Sequence, residues 1–119
     1  MKGLTIHEAA ETTGWSARML RYLETVGLIE PPRNGAGYRI YGAGELQRLR
    51  TLRELLDRHG LGPSDVAFAK RMLSDSELED AVGRWLEEKA RKPADVRPSD
   101  WLEYEQRKHE RLLATQEAT

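Results

Sequence analysis

The sequence predicts a mainly α fold, a winged helix-turn-helix with a small β-hairpin wing and a short C-terminal helical extension. Two short segments with helix-capping residues are joined by a tight turn within residues 5–27, as in a helix-turn-helix. A Pro- and Gly-rich stretch with strand-forming residues follows at 31–41, which is the pattern of a hairpin. Leucines then recur at helical spacing further along the chain.

Each of the first two helices has a start signal. Thr5 and Glu8 have the spacing of a capping box, in which each side chain accepts a hydrogen bond from the other residue's backbone N–H. The first helix should therefore occupy about residues 6–13. Ser16 suits the N-cap of a second helix over about 17–26. A glycine follows each helix, where a left-handed residue commonly closes it.

The second helix is predicted to have an exposed polar face. Leu20, Leu23 and Val26 recur at helical spacing and should face the core. Because a helix has 3.6 residues per turn, the positions of these three residues also determine which side chains lie on the opposite, exposed face. An arginine and a tyrosine there suit a DNA major groove, about 12 Å wide, but they also occur as an ordinary stacked pair on a wet surface. The side chains on this face are Arg18, Arg21, Tyr22 and Thr25.

The segment at 31–41 is predicted to be a two-stranded wing. Its two prolines prevent helix continuation, and the glycines within 35–37 can adopt the backbone angles of a turn. Strand alternation puts Tyr38 and Ile40 on one face and Arg39 and Tyr41 on the other. One aromatic side chain can then anchor the hairpin while Arg39 reaches outward.

Two more helices complete the N-terminal part. A leucine stripe predicts a third helix over about 43–59. Pro63 suits the first position of a fourth helix, which should end near Leu73, with Val66, Ala69 and Leu73 facing inward. Phe68 is expected to pack in the core. The arginines expected on the solvated side of the third helix are Arg48, Arg50, Arg53 and Arg58.

The tail is predicted to be a separate unit, giving a domain at 1–73 and a helical tail at 74–119. A helix at about 77–91 carries the cleanest apolar stripe in the chain. A Pro-containing linker at 92–100 and a last helix at about 100–115 follow. The tail should serve dimerisation or contacts with an effector or partner. The candidate residues for these contacts are Leu78, Val82, Trp85, Leu86, Trp101 and Leu112.

Composition narrows the possible functions. The chain has 119 residues and a net charge of −1. Residues 1–71 carry 11 Lys and Arg against 8 Asp and Glu, giving +3, and residues 72–119 carry 8 against 12, giving −4. A basic front joined to an acidic tail is typical of a localised phosphate-binding face, although solvated helices also produce it. The absence of a long apolar run or a signal peptide predicts a cytoplasmic protein.

The sequence offers no catalytic or metal-binding pattern. It contains no cysteine, so a thiolate metal or redox sensor is not expected. His7, His59 and His109 lack the spacing of a metal site and are predicted to be surface or capping residues. Carboxylate pairs such as Glu103 and Glu105 are expected on exposed helical faces. We therefore predict no enzyme, no cofactor and no metal.

The sequence resembles the MerR family of bacterial transcription regulators. The resemblance covers roughly the first 70 residues, and its order is more specific than any one motif. The matching segments are LTIHEAAETTGWSARMLRYLETVGLI at 4–29, GYRIY at 37–41 and ELQRLRTLRELLDRHGLGPSDV at 45–66. Departures from the family pattern include Leu23 in place of a second tyrosine and Gly42 in place of a helix cap.

The resemblance implies a sequence-specific regulator of double-stranded DNA. Family members are homodimers on inverted repeats in promoters, with RNA polymerase as a further partner, and many act by distorting the DNA spacer. Pro93 shortens the helix that would join such a dimer. The implied DNA-binding residues are Ser16, Arg18, Arg21, Tyr22, Tyr38 and Arg39.

The sequence leaves two other functions open. The first is a protein-interaction adaptor that works through the Trp85 and Trp101 surface of the tail. The second is a regulator that senses a small-molecule effector in an aromatic pocket of the tail.

Overall fold

A computed structural model describes residues 3–117 of the chain, with side chains to Thr115. This part of the chain is mainly helical, with six α-helices and one short 3-10 turn. None of these helices is long and apolar enough to cross a membrane. The helices are α1 (Ile6–Thr13), α2 (Ala17–Thr25), α3 (Ala43–Arg58), α4 (Asp65–Ser74), α5 (Ser76–Glu87) and α6 (Trp101–Glu117), and the 3-10 turn is Pro98–Asp100.

The predicted helix-turn-helix is formed by α1 and α2. Thr5 and Glu8 make both hydrogen bonds of the capping box, at 3.2 and 2.9 Å. Gly14 closes α1 with a φ of 78°. The Ser16 hydroxyl accepts a 2.9 Å hydrogen bond from the backbone N–H of Met19 and so begins α2. These local signals place both helices to within one residue of their predicted bounds.

The segment at 31–41, which we call the 31–41 loop, has no extended strands, and its two halves pair antiparallel at a single bridge. Across residues 3–117 the only β pairings outside helices are two isolated bridges, Leu4 with Tyr41 and Arg33 with Arg39. The two prolines have no N–H to donate, so the first half of the loop cannot sustain a ladder. The loop turns at Asn34, whose carbonyl accepts from Gly37 at 3.0 Å.

Helix α3 lies at the centre of the core. Its leucine stripe is buried as predicted. Its arginines are not all solvated, so that prediction is wrong for two of them. Arg53 is buried with its guanidinium 5.4 Å from the centre of the Trp15 ring, and Arg50 is largely buried against Glu105, 3.2 Å away. Both are covered by elements that helical periodicity alone does not reveal.

Helix α4 begins two residues later than predicted, because Ser64 rather than Pro63 starts it by accepting a hydrogen bond from Ala67. Phe68 is buried as predicted. Val66 and Leu73 are exposed, which contradicts the prediction that they face inward, and so is Val26 at the end of α2. At about 100° per residue, Val66 and Leu73 lie on the side of α4 away from Phe68.

The tail folds back onto the front of the molecule. Helix α5 is capped by Asp75 and ends four residues before the predicted Arg91. The apolar side chains of α5 join the same core cluster as those of α1, α2 and α3, and α6 packs along α1 and α3. The core therefore continues across residue 74, and the tail is not structurally separate.

Two polar residues of α6 are fully buried, contrary to prediction. Glu105 accepts hydrogen bonds from Arg50 at 3.2 Å and from the Trp101 indole at 3.1 Å. His109 places Nε2 2.6 Å from the Leu46 carbonyl oxygen, and its burial lowers its pKa to about 4. The middle of α6 is polar in sequence and was therefore predicted to be exposed, because the α3 residues that cover it, Leu46 and Arg50, lie more than 50 residues earlier.

Candidate nucleic-acid interface

The outer face of α2 presents basic side chains at its beginning and middle. Ser16, Arg18 and Arg21 are exposed. The Ser16 hydroxyl is engaged as the helix cap. Tyr22 is half-buried and packs edge-on against Phe68, with ring centres 6.3 Å apart. Among the predicted site residues of α2, Tyr22 is thus the one that is partly exposed and also packs against the core.

Arg18 is held by an acidic residue of another helix. Its guanidinium lies 3.3 Å from the carboxylate of Asp65, and the Arg18 side chain remains mostly exposed. Asp65 is the first residue of α4, where a negative charge also complements the helix dipole. The pair joins α2 to α4 beside the candidate surface.

The 31–41 loop is connected to α2 by two arginines and one carboxylate. Arg33 lies 3.2 Å from Glu24, and the Nε of Arg39 donates to the other Glu24 oxygen. Arg33 also donates a 2.9 Å hydrogen bond to the Gly37 carbonyl at the loop tip. Arg39 therefore does not reach freely outward as predicted, because its side chain turns toward α2.

The two tyrosines of the loop have opposite surroundings. Tyr38 is exposed and Tyr41 is completely buried, so Tyr41 is the aromatic anchor. Burial, with a smaller effect of Glu24, raises the pKa of Tyr41 to about 12. The charges of Arg39, Arg21 and Arg33 act in the opposite direction on the same phenol.

Arginines from α2 and from the loop are thus brought to one region of the surface. Sequence reasoning identified Arg21 and Arg39 as site residues but missed Glu24, Arg33 and Asp65. Glu24 lies three residues after Arg21 on the helix, so periodicity alone could have placed it beside the basic face. Nothing in the sequence indicates the partner of Asp65.

The predicted contact residues of the tail do not form one exposed surface. Leu78, Val82 and Trp85 are buried in the core of their own chain. Trp101 and Leu112 are half-buried, and Leu86 is about half exposed. The Arg48 guanidinium lies over the Trp85 ring, 3.9 Å from its centre, and the Trp85 indole N–H donates a 2.9 Å hydrogen bond to Thr51.

No cluster that could hold a metal ion occurs in the described part of the chain. Its His, Asp and Glu side chains nowhere come together in a group of three suited to a metal. The buried His109 is bonded to a backbone carbonyl.

The capped helix pair and its basic face define a helix-turn-helix regulatory domain. Residues 4–73 match the family described as MerR HTH family regulatory protein. This match covers more than half of the chain, which therefore belongs to the MerR family. Membership confirms the predicted family and a regulatory, non-enzymatic role for the matched region.

Curated relatives agree with this assignment. The chain is 37% identical over 94 residues to the HTH-type transcriptional regulator HmrR of Rhizobium leguminosarum bv. viciae, covering 79% of this chain and 62% of that protein. It is 42% identical over 55 residues to heavy metal-dependent transcription regulator 2 of Rhizobium meliloti (strain 1021), covering 45% and 37%. The matched region spans less than two thirds of either relative. No solved structure matches the chain.

Proposed function

We propose that this protein is a sequence-specific double-stranded DNA-binding transcription regulator of the MerR type. One observation carries the proposal: Arg33 and Arg39 of the 31–41 loop both pair with Glu24 of α2, and the charge of Arg21 on α2 acts together with theirs on the Tyr41 phenol. Two elements that present guanidinium groups together can contact a groove and its flanking phosphates at once. A DNA target also implies a cytoplasmic location in a bacterium.

The residues of this surface divide into two roles. Arg18 and Tyr22 on α2 would contact base edges or backbone in the major groove. The 31–41 loop would act as the wing, with Tyr38, Arg33 and Arg39 at phosphates. Arg21 and the exposed N-terminus of α2 at Ser16 would add backbone contacts, since helix N-termini attract phosphate groups.

Dimerisation on an inverted repeat is part of the proposal. Two recognition helices that read one face of DNA lie about 34 Å apart or a multiple of it. Helix α5 has 12 residues and is about 18 Å long, and its apolar stripe is buried in its own chain. A homodimer would therefore use other surfaces than that stripe. RNA polymerase at the promoter is the remaining proposed partner.

Metal sensing is not carried over from the relatives. Heavy-metal dependence is part of the name of the Rhizobium meliloti relative, but this chain contains no cysteine. Cysteine sulfur is the ligand that soft metals prefer. We propose that this segment regulates transcription without a thiolate metal site.

The test is selection of bound duplexes from a random pool, followed by measurement of the particle mass on the selected sequence. We expect enrichment of an inverted repeat and a mass of two chains per duplex. Binding should weaken as salt rises, by about 0.9 log unit per log unit for each neutralised phosphate. Absence of binding to any duplex at low salt would contradict the proposed function.

A further inference from the structure

The 31–41 loop has little backbone support for its position. Its base is joined to the N-terminal segment by two 2.8 Å hydrogen bonds between Leu4 and Tyr41. Beyond that base, its backbone hydrogen bonds are internal, such as Asn34 N–H to Tyr38 at 2.9 Å. The orientation of its tip relative to α2 must therefore depend on side chains.

Glu24 supplies that support from α2. Each of its carboxylate oxygens receives a different arginine of the loop. The carboxylate side chain is only 23% exposed, whereas Arg33 is 48% and Arg39 27% exposed. The acid is thus less exposed than Arg33 and about as covered as Arg39, and both of its oxygens are occupied by the loop arginines.

A carboxylate at this position has an electrostatic cost in a DNA-binding protein. It repels phosphates and so weakens attraction to any sequence. Its compensating effect is to order two flexible arginines before DNA arrives, which reduces the entropy lost on binding. The repulsion weakens binding to every duplex. The ordering favours a duplex whose phosphates lie where the two arginines are held, and it therefore favours specific over non-specific binding.

We propose that Glu24 is a positioning residue that sets the two loop arginines for DNA phosphates and thereby raises the ratio of specific to non-specific affinity. The proposal rests on the proposed DNA-binding function. Glu24 would act through Arg33 and Arg39 rather than on DNA directly, because both of its carboxylate oxygens accept hydrogen bonds from them. Without Glu24, the 31–41 loop would keep its backbone turn, but Arg33 and Arg39 would no longer be held in a single orientation.

The test compares three variants on a selected duplex and on a random duplex. E24Q removes the charge and keeps the shape. E24D keeps the charge but shortens the side chain by one methylene. E110Q makes the same charge change at an exposed residue of α6 and is the matched control. Thermal unfolding of each variant verifies that the chain is folded.

We expect E24Q to reduce the specific-to-random affinity ratio by roughly tenfold, as expected for two side chains that lose preorganisation. E24D should also reduce the ratio although the net charge is unchanged. E110Q should leave it at the wild-type value. If E24Q and E24D both keep the wild-type ratio, the proposal is wrong.

A second comparison separates positioning from a general structural effect. In a background of R33A and R39A, the residues through which Glu24 acts are gone. E24Q should then produce no further fall in the ratio, whereas a persisting tenfold fall would overturn the proposal. If the wild-type chain binds no duplex, the proposed function itself fails, a result distinct from failure of Glu24 alone.

Discussion

At the scale of single residues, Arg18 and Arg39 differ in what holds them. Arg18 is mostly exposed and paired with Asp65, while Arg39 is mostly covered and paired with Glu24. The first belongs to the helix that would enter the groove, and the second to the loop that would lie beside it. Their loss should therefore affect DNA binding in different ways.

R18A should change which duplex sequences are preferred, because a lost arginine–base contact removes about 1–3 kcal/mol of discrimination. R39A should leave the order of preferred sequences unchanged and lower the salt slope by about 0.9, the value for one phosphate. Binding isotherms at several salt concentrations measure both effects. R111A, at an exposed position of α6, is the control. Equal behaviour of R18A and R39A would contradict the division of roles.

His109 makes the stability of the fold depend on pH. Its folded pKa of about 4 lies below the ordinary value of 6.5, so the unfolded chain binds more protons between these values. The free energy of unfolding should be highest above pH 6.5 and should fall as pH decreases toward about 4. The loss should be up to about 3 kcal/mol.

Urea unfolding at a series of pH values measures this effect. H109Q removes the titrating group and should flatten the dependence between pH 6.5 and 4, apart from a general loss of stability. H7Q, at an exposed histidine, should retain the wild-type profile. An unchanged profile in H109Q would assign the acid sensitivity to other groups.

At the scale of elements, the end of α1 is in contact with α6. Gly14 and Gly27 both have left-handed backbones, with φ of 78° and 81°. A Cβ at residue 14 would lie 2.6 Å from a methyl group of Leu113, whereas a Cβ at residue 27 would meet nothing within 4 Å. The two positions share the same backbone strain and differ in the contact with the tail.

G14A should therefore be less stable than G27A. Both should lose about 1–2 kcal/mol from the left-handed alanine, and G14A about 1 kcal/mol more because Leu113 must shift. Denaturant unfolding measures the difference. The extra loss should disappear in an L113A background. Equal stabilities of G14A and G27A would mean that α6 does not press on the end of α1.

The same elements show what the sequence could and could not predict. Thr5, Ser16 and Gly14 act through neighbours within a few residues, so the bounds of α1 and α2 were predictable. Glu105 and His109 were predicted to be exposed because they are polar. Their partners are on α3, and helical periodicity does not indicate contacts so far apart in the sequence. The site was partly predictable for a similar reason: Arg21 and Arg39 followed from local pattern, but the pairing of Asp65 with Arg18 depends on how α4 packs.

At the scale of the whole molecule, the tail completes the core of the front. Leu78, Val82 and Trp85 belong to the cluster that contains the α3 leucines. The acidic half of the chain is thus folded against the basic half. A chain that ends at Ser74 would expose this apolar surface to water.

We expect truncation after Ser74 to abolish cooperative unfolding at the wild-type midpoint. Circular dichroism during heating measures the transition, and dye binding reports exposed apolar surface. A full-length chain with L86A, which changes a half-exposed residue of α5, should unfold like the wild type. A truncated chain with the wild-type transition would show that residues 1–74 fold without the tail.

The buried pair of Arg50 and Glu105 has a consequence for how the tail can move. A contact made only of leucines tolerates small slips, since one methyl group replaces another. If α6 slid along α3 by one turn, about 5.4 Å, the buried Glu105 would lose its counter-charge, whereas Arg50 would keep Glu54 on its own helix. That would cost several kcal/mol. Helix α6 can consequently be packed on α3 or detached from it. It has no stable intermediate register that could transmit a graded change to the N-terminal helices.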